Sequence, residues 1–159
     1  MTTTKESTLT LSRVFDAPVE VVWKAFTDPK EIVKWWGPQN FTTPFVKIDF
    51  RIGGKYLYCM RSPEGQDIWI TGTYKEIVTL KKIVSSDSFA DENGNVVSAS
   101  HYGMGDDFPT ELEITFLFES QGAKTKFTLH HVGVPGGKLS EMTASGWNEF
   151  FDKLAEVLK

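Results

Sequence analysis

From Thr8 to Val14 the chain alternates Leu9, Leu11 and Arg13 with Thr8, Thr10 and Ser12, a period of two that predicts a strand. The period lengthens after Asp16-Ala17-Pro18, where Val22, Trp23 and Phe26 form an apolar stripe at helical spacing. Proline suits the first turn of such a helix, since its fixed φ is already helical and its missing N–H is not needed there. Asp28-Pro29 repeats the start signal and predicts a second, shorter helix carrying Ile32, Val33, Trp35 and Trp36, stopped by Gly37-Pro38.

Between Phe41 and Val132 the period of two returns. Val46, Ile48 and Phe50 alternate with Lys47, Asp49 and Arg51, and Gly53-Gly54 then marks a tight turn or bulge. Tyr56, Tyr58 and Met60 share a face opposite Leu57, Cys59 and Arg61. After the turn residues Ser62 to Gly65, Ile68, Ile70, Gly72 and Tyr74 alternate with Trp69, Thr71, Thr73 and Lys75. That alternation puts the Trp69 indole on the solvent side, as a partner or dimer contact, unless a bulge returns it to the core. Further strands are expected over Lys81 to Ser86, then through Leu112, Ile114, Phe116 and Phe118, and through Phe127, Leu129 and His131. The last segment is helical in period, with Leu139, Met142, Trp147, Phe150, Phe151, Leu154 and Leu158 on one side. A helix of about 20 residues spans roughly 30 Å, enough to cross a sheet. One stretch, Phe89 to Pro109, keeps no period; connections of that length are surface excursions or lids over a site.

Several of these segments resemble one family. Phe15-Asp-Ala-Pro18, Trp35-Trp36-Gly37-Pro38, the run Ile48 to Tyr56, Gly72-Thr-Tyr-Lys-Glu76, Ser100-His-Tyr-Gly-Met104, and Gly146-Trp-Asn-Glu149 with Asp152-Lys-Leu154 are similar to stand-alone members of the family named after the activator of the heat-shock protein 90 ATPase. That family belongs to the START-like superfamily. The resemblance, from Leu9 to Leu158, implies an α+β helix-grip fold. In it a curved antiparallel sheet of about six to seven strands wraps a long C-terminal helix, two short helices follow the first strand, and a cavity can lie between sheet and helix. It implies a single START-like domain over residues 1–159, with 1–7 a flexible tail.

Composition narrows the partners. The chain has 159 residues, 40% of them hydrophobic, which fits one domain burying roughly 70% of its unfolded surface. Its 17 Lys and Arg against 21 Asp and Glu give a net charge of -4 with no basic run, which speaks against nucleic acid and against an acidic membrane surface. Cys59 stands alone, so an internal disulfide is excluded and a buried thiol is expected. The polar start Met1 to Ser7 has no apolar signal core, and no apolar run approaches the roughly 18 residues of a membrane span; a cytoplasmic protein is expected.

Chemical signatures are sparse. The neighbours His130 and His131 point to opposite faces of a strand and His101 stands apart, so neither metal nor cofactor is predicted. Gly53-Gly54 and Gly136-Gly137 match no phosphate loop, and Ser145 lacks the first glycine of a nucleophile elbow. The candidate site is therefore the aromatic interior: Trp36, Phe50, Tyr56, Tyr58, Met60, Phe116, Phe118 and His131, opposed by Met142, Trp147 and Phe151 of the closing helix. These side chains can fill a core completely or line a hollow. Tyr56, Tyr58 and His131 sit on apolar faces, where each needs a hydrogen-bond partner or costs about 1–3 kcal/mol. Gly146 lies inside the closing helix, where glycine costs about 1 kcal/mol against alanine, so either the sheet approaches closely there or the missing side chain leaves room for a ligand. The expected function is non-enzymatic binding of a small, mostly hydrophobic molecule by a monomer or homodimer. The resemblance implies two alternatives: a co-chaperone that activates a heat-shock protein 90 ATPase, and a cyclase-like enzyme with Tyr58 and His131 as acid and base.

Overall fold

The alternating segments pair, in the computed structural model describing residues 8–103 and 108–159, into one antiparallel sheet of seven strands. In chain order these are β1 (Thr8–Phe15), β2 (Thr42–Ile48), β3 (Lys55–Arg61), β4 (Asp67–Val78), β5 (Lys82–Ala90), β6 (Leu112–Gln121) and β7 (Lys124–Val132). They lie in the order β1-β7-β6-β5-β4-β3-β2, so each strand from β2 to β7 neighbours the next and β1 closes against β7. The helices are α1 (Val19–Thr27), α2 (Pro29–Ile32) and α3 (Lys138–Val157), with a 3₁₀ turn at Ala99–Tyr102. Residues 1–7, expected as a tail, and residues 104–107 of the aperiodic stretch lie outside the described residues.

The sheet curves, as a helix-grip fold requires. Register shifts between Thr42 and Phe45 and between Tyr74 and Glu76 mark bulges, which bend a strand and raise its twist. Gly72 allows a close approach in β4: a Cβ there would collide with the Ser86 carbonyl oxygen and with the ring of Tyr56. The Tyr56 ring takes that space instead, and its hydroxyl donates to the Ser86 carbonyl at 2.8 Å. Gly53, at φ +85°, turns the chain from β2 towards β3 while its amide donates to the Tyr74 carbonyl at 2.8 Å.

Pro18 stands one residue before its expected helical place, at the N-cap position of α1, where its carbonyl accepts from the Val22 amide at 3.1 Å; the buried side of α1 is Val19, Val22, Ala25 and Phe26. Asp28 caps α2 by accepting from the Lys30 amide at 2.9 Å. This second helix is shorter than its apolar stripe predicted. It ends at Ile32, and the chain runs on through hydrogen-bonded turns in which the Trp35 and Trp36 amides both donate to the Ile32 carbonyl. Ile32, Trp35 and Trp36 take the inward side of those turns, which leaves Val33 outside and 42% exposed, against its expected place in the stripe. The Trp35 indole N–H donates to the Ala25 carbonyl at 2.9 Å, locking the turns onto α1.

Large rings from β1, β7 and α3 meet in the core. Phe127 is fully buried, its ring 4.9 Å from that of Phe26 and 5.1 Å from that of Phe151. Polar ties hold α3 in place: Arg13 pairs with Asp152 at 2.8 Å, and Glu149 accepts from the Gln39 amide at 3.0 Å. The Lys153 ammonium reaches the carbonyls of Trp36, Pro38 and Phe41 at 3.1–3.4 Å, and burial lowers its pKa.

Two outer features differ from expectation. β5 runs on to Ala90 instead of ending near Ser86. Trp69 keeps its outward face but is half-buried, covered by the Phe45 ring at 5.6 Å, with Cys59 buried between them in the same cross-strand row. Burial pushes the Cys59 thiol up to about 11. The aperiodic connection begins with a turn that folds back, bridging Val96 to Ala90. The Tyr102 hydroxyl then donates to the Ala90 carbonyl and accepts from the Trp69 amide.

Candidate functional site

Strand lengths open the interior at one end. The ladder between β5 and β6 ends at Asp87 and Leu112, whereas Ser88, Phe89 and Ala90 continue along β4 and meet on their other side the returning turn at Val96 and Val97 instead of β6. Beyond that point β6 no longer flanks β5, and the N-terminal half of α3 faces the space so left. The result is a cavity of about 710 Å³. Met60, Ile70, Phe89 and Leu112 wall it from the sheet, Phe108 from the connection, and Leu139, Thr143, Trp147 and Phe150 from α3. Gly146 also faces it, and no atom lies within 4 Å of where its Cβ would be. Close approach of the sheet is therefore not the reason for glycine at this position; the helix is thinned over open space.

Five of the residues expected at the site, Trp36, Met60, His131, Met142 and Trp147, line this cavity. Met142 does so from the rim: it is 61% exposed, a correction to its expected place packed against the sheet's rings. The other six fall elsewhere. Tyr56, Tyr58 and Phe116 surround a separate void of about 20 Å³, shared with Trp36, Tyr74 and Ser85, a size that admits about one water. Phe50 lies beyond the end of β2 and packs on Trp23 and Tyr74, at 5.9 and 5.0 Å. Phe118 is held among Trp23, Phe26 and Phe127, and Phe151 between Phe127 and Trp147. Residue alternation assigns a face but not a position along the strand, so it could not tell the filled end from the open one.

Asp87, Ser88, Phe89, Phe108 and Phe150 line the cavity without having been singled out. The available signal lay in β5, where Ile83, Ser85, Asp87 and Phe89 alternate inward. Two polar side chains in that row hid an inner face.

A polar chain crosses the cavity floor. The Trp147 indole N–H donates to His131 Nδ1 at 3.1 Å. An indole can only donate, so Nδ1 holds a lone pair and the imidazole proton sits on Nε2. Nε2 in turn lies 3.2 Å from Asp87 Oδ2, close but outside hydrogen-bond alignment. The Trp36 indole nitrogen, also sealed from solvent, has no hydrogen-bond partner either. On the packed side, burial drives the Tyr56 and Tyr58 hydroxyls well above the ordinary phenol range, helped by Asp87 at Tyr56 and by Tyr74 at Tyr58, and lifts Tyr74 to about 12. Among the described residues no three or more His, Cys, Asp or Glu side chains cluster as metal ligands, and no helix is long and apolar enough to cross a membrane.

Residues 16–159 match the model of the family described as Activator of Hsp90 ATPase homolog 1-like protein. The chain belongs to that family. Similar solved structures share the fold of this family member along nearly their whole lengths. A protein of Chromobacterium violaceum is 26% identical, with 95% of this chain and 96% of that one covered and a TM-score of 0.78. A protein of Nitrosomonas europaea is 22% identical, at 95% and 93% coverage and a TM-score of 0.76. The AHSA1 protein of Silicibacter pomeroyi is 21% identical, at 96% and 97% coverage and the same TM-score. No match was found among curated proteins.

Proposed function

We propose that this chain acts as one binding domain for a small, mostly apolar molecule, held between the end of β5 and the N-terminal half of α3. The observation that carries this reading is the cavity of about 710 Å³ with a glycine of α3 turned into it. Ligand pockets occupy roughly 300–1,000 Å³ and are mainly apolar with a few placed polar groups, a description that fits walls of Met60, Ile70, Phe89 and Phe150 above Asp87 and His131. The family description names activation of a chaperone ATPase; the hollow in this chain favours ligand binding as the primary role. His131 supports binding over acid–base chemistry, since its Nδ1 lone pair is taken by Trp147 and its Nε2 faces Asp87.

The test is a thermal-shift screen of small apolar compounds, run in parallel on the wild-type protein and on Gly146→Trp. A ligand at 100 times its Kd stabilises by about 2.7 kcal/mol. Hits should shift the wild type and leave the variant, whose indole occupies the cavity, where it was. Equal shifts in both proteins would place binding elsewhere and end this reading.

A further inference from the structure

Resting on the ligand-binding reading, the donors and acceptors of the cavity floor define the chemistry of the occupant's buried end. Asp87 lines the cavity with its side chain 18% exposed. His131 is the one basic side chain within 4 Å of that carboxylate among the described residues, and it brings no positive charge while Trp147 donates to its Nδ1. Tyr56 is 3.4 Å from Asp87 Oδ1, but its proton is directed to the Ser86 carbonyl at 2.8 Å. The two unpaired N–H groups nearby, on Trp36 and His131, are sealed from the open space. Thr143, also on the wall, gives its own proton to the Leu139 carbonyl at 2.8 Å, so its oxygen is left to accept.

Two donors share the lining, the hydroxyl of Ser88 and the ammonium of Lys138, an exposed residue at the start of α3 that makes no ion pair with Asp87. The floor itself thus carries a carboxylate without a charged partner, set among the rings of Trp36, Phe89, Trp147 and Phe150. Aromatic faces attract cations, and a desolvated carboxylate is stabilised by a charged donor. We propose that the cavity takes an apolar molecule ending in a protonated amine, with the ammonium on Asp87 and the hydrocarbon body directed towards Leu139 and Met142 at the rim. A carboxylate end is repelled from this floor. A neutral hydroxyl can donate to Asp87 but brings no charge.

Three probes with one aromatic body separate these cases: 2-(1-naphthyl)ethylamine, 2-(1-naphthyl)ethanol and 1-naphthylacetate, titrated into the 159-residue chain by calorimetry at neutral pH. The amine should bind at least about tenfold tighter than the alcohol, the margin a charge-assisted bond supplies, and the acetate weakest. In Asp87→Asn the amine should fall to the level of the alcohol, whose own affinity stays within about threefold. An alcohol or acetate that matches the amine, or an amine preference that survives Asp87→Asn, overturns the proposal. If Asp87→Asn does not fold, the order of the three probes on the wild type decides alone. The two readings also fail separately. Apolar hits in the thermal screen with no preference for the amine remove the ammonium site and leave the cavity, whereas no binding by any compound removes both.

Discussion

The two halves of α3 face the same sheet and meet opposite conditions. Towards its C-terminus, Phe151 packs on Phe15 and Phe127, Leu154 is fully buried, and three polar ties, Arg13 to Asp152, the Gln39 amide to Glu149, and Lys153 to backbone carbonyls, fix the helix on its neighbours. Towards its N-terminus, Leu139, Thr143 and Gly146 look into open space, and Met142 stands at the rim. Both halves carry apolar side chains at helical spacing. What separates them is what the sheet offers opposite: large rings from β1, β6 and β7 at one end, and at the other a strand, β5, that has outrun β6. A hydrophobic stripe therefore establishes that a helix is covered, and the volume of the facing side chains establishes whether the cover is full.

The largest expected effect lies at the filled end. Phe127→Ala removes a fully buried ring with five aromatic neighbours, at 4.9 to 5.8 Å. Losing such a ring costs about 3–5 kcal/mol, because the transfer loss is joined by the cost of a new cavity. Met60→Ala at the hollow end loses transfer energy next to space that is already open, so its cost should fall near the bottom of the methionine range, about 2 kcal/mol. Urea denaturation of both variants measures the contrast. Equal losses would mean that the two ends are packed alike.

Gly146→Ala should act in the opposite direction. With no atom within 4 Å of the new methyl group, the helix gains alanine's conformational advantage without a clash, and the denaturation midpoint should rise by the equivalent of about 0.5–1 kcal/mol. A fall in stability would show that this face of α3 is closed in solution.

Much of the architecture was legible in the alternation. Tyr56, Tyr58, Leu112 to Phe118 and Phe127 to His131 took the faces that their period assigned, and the family motifs supplied the curved sheet wrapped around a closing helix. The position of the hollow was not legible, for a physical reason. It depends on where β6 stops pairing with β5, and a ladder's end is a tertiary event that leaves the local period unchanged. Phe50 and Phe116 share an inward face with Met60, yet they stand at the filled end. The polar floor was hidden for the converse reason: Asp87 breaks the apolar row of β5 because the wall it belongs to is open.

The smallest effect tests how the hollow end is covered. The turn after β5 is held by Asp91, whose Oδ1 accepts from the amides of Asn95 and Asn93, both at 2.9 Å, and whose Oδ2 accepts from the Asn95 side chain at 3.0 Å. These bonds, with Asn95 contributing most, keep the carboxyl below its usual 3.8. Its folded value is thus depressed relative to the unfolded chain, so its contribution is complete above that usual value and is lost as the pH falls through the lower folded one. The turn returns the chain to Phe89, whose carbonyl accepts from the Val97 amide at 2.9 Å and whose ring lines the cavity. Hydrogen exchange at Asn93, Asn95 and Val97 should be faster in Asp91→Asn than in the wild type at neutral pH, with the melting midpoint nearly unchanged because the site is exposed. The two proteins should converge once the pH is brought below the folded value of Asp91, where both carry a neutral side chain. A difference that persists there would mean that the Asp91 charge is not what orders the turn, leaving Tyr102 and its bonds to Ala90 and Trp69 as the anchor of this edge.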